Sequence, residues 1–322
     1  MMKNILNITN GDCAVDVMKK AGLPGDFLPW RDVLHEGPVP KGMDLDELSQ
    51  ERAKFIASRG WGEANKILSD FVERDNVLKS FANYDHILLW FEHDLYDQLQ
   101  LLQLLDWFNQ NKTQKIQISL ICVDQYLGPL SPEEMKELLK YQALVTKQQF
   151  SIASQAWKAF RESSPEDWVA LLNIDTSELP FLHGTVIRLL EEYPNVKNGL
   201  SRTQQQALEV VASGIGHPWK IFDNSQRKED RMFLGDLSFW EVLKEFIDSK
   251  PAILDVIEGN VNLSPIQKEH SLSITEAGKE ILSNKKNWLE IREPDRWIGG
   301  VHLHPGQNWC WDTDNKTITN GC

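Results

Sequence analysis

The stretch Trp90-Phe91-Glu92-His93-Asp94-Leu95-Tyr96-Asp97-Gln98 puts three carboxylates and a histidine into six positions. Three ionisable residues in a row at the end of an apolar run are unusual for packing alone. Glu92 or Asp94 could serve as a general base if burial raised its pKa. If a helix begins near His93, then His93 and Asp97 stand at i and i+4 on one face, a spacing that can ligate a divalent metal. The complete set of an H-E-x-x-H motif is absent, so metal binding through His93 and Asp97 is expected to be weak. A plainer role competes: Asp94 can cap the helix, and acidic residues in a first turn suit its dipole.

A second stretch, Pro29-Trp30-Arg31-Asp32-Val33-Leu34-His35-Glu36-Gly37-Pro38, offers an anion clamp in Arg31 and a proton shuttle in His35. The alternative is a salt bridge from Arg31 to Asp32 or Glu36 that stiffens a long loop. A third, Thr9-Asn10-Gly11-Asp12, leads into a helix N-terminus, where anions bind. It lacks both the Gly-x-Gly-x-x-Gly fingerprint and a P-loop lysine, and Asp12 reads as a cap. The candidate catalytic set is thus Glu92, His93, Asp94 and His35, with Arg31, Asp32, Asn10 and Asp12 binding substrate. Glu92, His93, Asp32 and Arg31 are expected to converge on one cleft. His302 and His304 alternate onto one face of a tail strand, which an exposed polar face explains without a metal. His183, alone on a helix, reads as structural. No Gly-x-Ser-x-Gly elbow is present.

The elements that must position these residues follow from periodicity. Strand signals at 5–9, 26–30, 86–91 and 115–123 are separated by helical patterns, which predicts a parallel sheet with helices packed on it. All three stretches then fall at the carboxyl ends of strands, where open α/β sheets bind ligands. The fold class expected is α/β. Residues 1–130 form a three-layer, Rossmann-like parallel-sheet domain, 131–198 a helical connector, and 199–322 a winged-helix-like domain with a small β tail.

The motifs at 6–12, 28–38 and 89–99 resemble a bacterial family, the domain-of-unknown-function family 1835. Asp236-Leu237-Ser238-Phe239-Trp240 and Asp295-Arg296-Trp297-Ile298-Gly299-Gly300-Val301-His302-Leu303 resemble its uncharacterised C-terminal companion domain. The resemblance covers nearly the whole chain and implies a bacterial cytoplasmic protein in two parts. It implies no reaction, cofactor or catalytic assignment.

Composition limits the rest. The 322 residues carry a net charge of −13, which opposes broad nucleic-acid binding. No apolar run reaches the ~18 residues a membrane span needs. Four cysteines without a C-x-x-C pair predict a reduced, cytoplasmic protein. Two functions fit. One is an enzyme acting on a small phosphorylated or nucleotide-like molecule at the strand-end cluster, with a divalent metal ion as cofactor. The other is a non-catalytic ligand-binding regulator whose winged helix contacts protein or nucleic acid. The third helix of that module, 237–250, is too acidic to grip DNA.

Overall fold

The computed structural model describes residues 4–112, 115–259 and 269–321. The chain divides into two compact units, Met1–Val186 with Gly299–Val301, and Ile187–Ile298 with His302–Cys322.

The first unit is built on a five-stranded, mostly parallel sheet. Its strands are β1 (Ile5–Thr9), β2 (Asp26–Pro29), β4 (His86–Phe91), β5 (Gln117–Cys122) and β6 (Ala143–Leu144), in the order β2-β1-β4-β5-β6. A two-residue strand, β3 (Gly37–Pro38), lies outside this sheet. The first four sheet strands run parallel, as the periodicity predicts. β6 corrects an all-parallel expectation: it is an exposed antiparallel edge on β5, too short to show period-2 patterning. All six side chains of β4 are buried, as a strand covered on both faces requires.

Helices α1 (Asp12–Lys20), α2 (Leu45–Ser58), α3 (Ala64–Lys79) and α4 (Leu95–Asn111) follow the apolar periodicity. Helices α5 (Pro132–Glu137) and α6 (Lys147–Phe160) open on the capping boxes of Ser131 and Thr146, and α7 (Glu166–Ala170) follows. Val17 and Met18 of α1, with Met135 of α5, pack against Leu88 and Trp90 of β4. Asn7, buried in the middle of β1, ties three strands: its Nδ2 donates to the Pro24 and Asp26 carbonyls, and its Oδ1 accepts the Trp90 indole N–H. Gly25 immediately precedes β2 at φ +101, where a Cβ would sit 2.3 Å from the Ile5 carbonyl oxygen.

α8 (Leu182–Leu190) spans the division. The second unit then holds α9 (Arg202–Ala212), α10 (Pro218–Gln226), α11 (Asp236–Asp248), the antiparallel pair β7 (Leu254–Glu258) and β8 (Ser271–Ile274), α12 (Glu276–Leu282) and α13 (Trp288–Ile291). The turn expected at Glu258-Gly259-Asn260 runs into Asn260, outside the described residues. The tail carries β9 (Arg296–Gly299), β10 (Val301–Leu303) and the hairpin β11 (Trp309–Asp312) and β12 (Thr317–Asn320). The core of this unit joins Leu208, Phe239, Leu243, Phe246, Leu254 and Leu272. Arg188 bonds both Glu192 and Glu229. Burial pushes the Glu192 carboxyl up, but Arg188 and Arg296 beside it and the Thr203 hydroxyl hold it down to about 2. Cys310 is buried and disulfide-bonded, against the expectation of four reduced cysteines, whereas Cys13 and Cys122 lie outside any disulfide.

Candidate functional site

β1 pairs with β2 on one side and β4 on the other, so the chain leaves β1 in one direction and returns past it to β4. The carboxyl ends of β1 and β4 therefore flank the point where strand order reverses, the crevice in which open α/β sheets bind ligands. Asn10 follows β1, and Glu92 follows β4.

These two residues meet. Asn10 Nδ2 donates to Glu92 Oε1 at 3.0 Å and to Asp97 Oδ2 at 2.8 Å. Asp97 Oδ1 accepts the Glu92 N–H at 2.8 Å, and Glu92 Oε1 also accepts the Leu127 N–H. Asp94 caps α4 by accepting the Asp97 N–H at 3.1 Å, so the plainer reading of that residue holds. It is also one of three buried carboxylates, with Glu92 and Asp97, whose ligand atoms lie within 4.8 Å of one another. The start of α4 supplies positive dipole to this cluster. Burial raises the Glu92 carboxyl, although the Leu127 N–H and Asn10 favour its charge. Asp97 is raised well above the usual carboxylate range by burial and by the negative charges of Asp94 and Glu92. Burial, with Asp97 and Asp32 near, also raises the Tyr96 phenol.

The other expected residues are distributed around this centre. His93 does not join the carboxylates: its ring lies 4.9 Å from that of Tyr126 and 6.0 Å from that of Phe181, and its Nε2 is 3.7 Å from Asp124. The physical reason is the cap. With Asp94 as the N-cap, α4 begins at Leu95, and His93 precedes it instead of sharing a face with Asp97. Arg31 pairs with Asp12, neither with Asp32 nor with Glu36, through Nε at 2.8 Å and Nη2 at 2.5 Å. That hydrogen bond and charge hold the Asp12 carboxyl low. Asp12 is not the cap of α1; Gly11 is, and no side chain caps the helix there. Arg31 sits at φ +53, a conformation that costs a non-glycine residue about 1–2 kcal/mol, while its N–H donates to the Asn10 carbonyl. The guanidinium itself is half-exposed and held on Asp12.

Asp32 is fully buried and paired with Arg52, whose Nε donates at 3.0 Å. The remaining Arg52 donors go to the carbonyls of Val33, Glu36 and Pro38, so the 31–38 loop is wound around one buried guanidinium. His35 is buried with its ring 5.9 Å from Tyr96. His302 stacks on Trp297 and bonds Asp295, and His304 bonds Gln307; neither belongs to a metal-ligating group among the described residues.

The sequence reading overlooks Arg52, three glutamines, and Arg74 of α3, which is buried over the Trp30 ring and donates to the Trp30 carbonyl. Gln98, Gln100 and Gln103 are buried on α4, and each has a fixed task. Gln98 Nε2 donates to the Glu92 carbonyl, Gln100 Nε2 to the Asp32 carbonyl, and Gln103 Oε1 accepts the Trp30 indole N–H. Their signal was available, since polar side chains repeated within an otherwise apolar helix must find partners inside. Arg52 and Arg74 carry no such signal, because a lone arginine on an amphipathic helix usually reaches water.

No protein-family model and no curated protein matches the chain.

Proposed function

We propose that the strand-end cluster is the active site of an enzyme acting on a small phosphorylated or nucleotide-like molecule. The observation that carries this reading is the Asn10 side chain joining Glu92 and Asp97 at the strand-order reversal. Three buried carboxylates this close repel one another unless a proton or a cation intervenes. Their all-oxygen donor set suits a hard divalent cation of the Mg²⁺ class. Glu92, Asp94 and Asp97 would hold that ion, which would neutralise phosphate charge when bound. Arg31 and the α1 N-terminus, which has no side-chain cap, orient the anion. Without the ion, Glu92 and Asp97 have raised pKa values that favour keeping a proton, which binding of the ion would displace.

We read the first unit as Rossmann-like. Three helices followed by a two-stranded pair support reading 199–322 as a winged-helix-like domain with a small β tail. In that module the third helix is a packing element, since Phe239 and Trp240 are buried.

Thermal-shift measurements on the intact protein with phosphorylated nucleosides, with and without Mg²⁺, test the proposal. Joint addition is expected to stabilise more than either alone. Asp97→Asn should abolish the joint effect, and Arg31→Gln should reduce it. Absence of any joint stabilisation, or equal shifts in wild type and both variants, overturns it.

A further inference from the structure

A cavity of about 300 Å³ lies wholly within the second unit. It is walled by the chain joining α8 to α9, the start of α9, the end of α12 and β11. That volume is at the lower end of the range of about 300–1,000 Å³ usual for small-molecule sites. No residue of the strand-end cluster lines it.

The charges at its wall answer one another. Arg202 Nη1 donates to Glu191 at 2.8 Å, and Lys197 is paired with Asp314 at 2.7 Å. Two wall amides are likewise engaged: Asn198 donates to Gln205, and Asn195 donates to Thr313. What the wall leaves over is donors. Tyr193 lines the cavity and is 3% exposed, and its hydroxyl makes no hydrogen bond among the described residues. Burial raises the phenol, so it keeps its proton and stays a donor. Trp311, on the same wall, is also buried, and its indole N–H meets no acceptor among the described residues. Buried polar groups in native proteins are almost always bonded, so two orphaned donors on one wall call for an acceptor from outside the chain. A single water, at about 30 Å³, would leave most of the space unfilled. Balanced wall charge offers nothing to a net charge on the ligand, and stripping such a charge of water is costly. Leu200 and Leu282 give the cavity an apolar side. The neutral group that matches is a carbonyl, whose oxygen accepts and donates nothing.

We infer that this cavity binds a small neutral carbonyl compound, an amide or lactam with an apolar body, its oxygen accepting from the Tyr193 hydroxyl and its body against Leu200, Leu282 and the Trp311 ring. The inference is independent of the reading of the strand ends.

Titration of the intact protein, isotopically labelled at tryptophan nitrogen, with benzamide and caprolactam tests it, with benzoate, benzylamine and toluene for comparison. Affinities and the Trp311 indole N–H resonance are read by NMR, that resonance being assigned as the one missing from Trp311→Phe. The two amides are expected to bind and to shift it, and the three other compounds to bind at least tenfold more weakly. Tyr193→Phe removes only the hydroxyl. It should weaken both amides several-fold, the size of one lost hydrogen bond, with an unchanged melting temperature. The inference is overturned if neither amide binds, if benzoate, benzylamine or toluene binds as tightly, or if Tyr193→Phe binds the amides as wild type does. Binding that leaves the Trp311 resonance in place puts the amides elsewhere and overturns it too. Thermal shifts with phosphorylated nucleosides should be unchanged in Tyr193→Phe, which separates this cavity from the strand-end cluster.

Discussion

Burial of Asp97 beside Glu92 and Asp94 gives the pH dependence of stability a definite sign. Its folded-state pKa is raised well above the unfolded value near 3.8, so the folded chain keeps a proton that the unfolded chain has lost. The resulting stabilisation is fully present below the unfolded value and is lost as pH rises through the folded one. Asp97→Asn cannot titrate there. In the presence of a chelator, the variant's stability relative to wild type is therefore expected to improve as pH rises from about 4 to about 8, read by urea unfolding at each pH. A relative decline instead would show that Asp97 is ionised in the native protein. At this scale the sequence was informative about residue types and less so about partners. The carboxylates at 92, 94 and 97 were visible as a group. That Asp97 and not His93 turns inward depends on which residue caps α4, a choice of one position that periodicity does not resolve.

The 31–38 loop owes its shape to a residue outside it. Arg52, on α2, has no exposed surface, and it bonds one Asp32 oxygen and three loop carbonyls at once. Removing it leaves Asp32 buried without its counter-ion. Arg52→Leu is expected to destabilise the protein by about 3–5 kcal/mol, the range for breaking a buried pair from one side. Urea unfolding of the variant reads this directly, and a loss below about 1 kcal/mol, as for exposed pairs, would show that the loop holds itself. The elements themselves were largely legible. Ser131, Thr146 and Ser201 announce three helices because the box needs only residues three positions apart, and each forms the reciprocal bonds. Strands β1, β4 and β5 announced themselves by apolar runs. The two-residue strands β3 and β6 could not, since their pairing is set by distant partners instead of their own composition. Arg52 was hidden for the same reason, because what recruits it is the loop.

Across the whole molecule the net charge is −13, and the acidity extends to the element that a DNA-binding reading would need most. A helix that reads the major groove brings Arg, Lys, Asn or Gln to base edges and phosphates. α11 carries Asp236, Glu241, Glu245 and Asp248 against Lys244 alone, with Lys250 beyond its end. Its buried residues Phe239, Trp240, Leu243 and Phe246 belong to the core of its own unit, so turning that face outward would dismantle the module. The remaining surface would set carboxylates against the phosphates, a repulsion with no counterion release to offset it. Titration of the intact protein against random duplex DNA, at low and at physiological salt, is therefore expected to show no binding tighter than ~10⁻⁶ M at physiological salt, the edge of non-specific affinity. A tighter complex that Lys244→Ala weakens would place α11 on DNA and favour the regulator over the enzyme. A tighter complex indifferent to Lys244 would move the contact off α11 and leave the packing role of that helix standing.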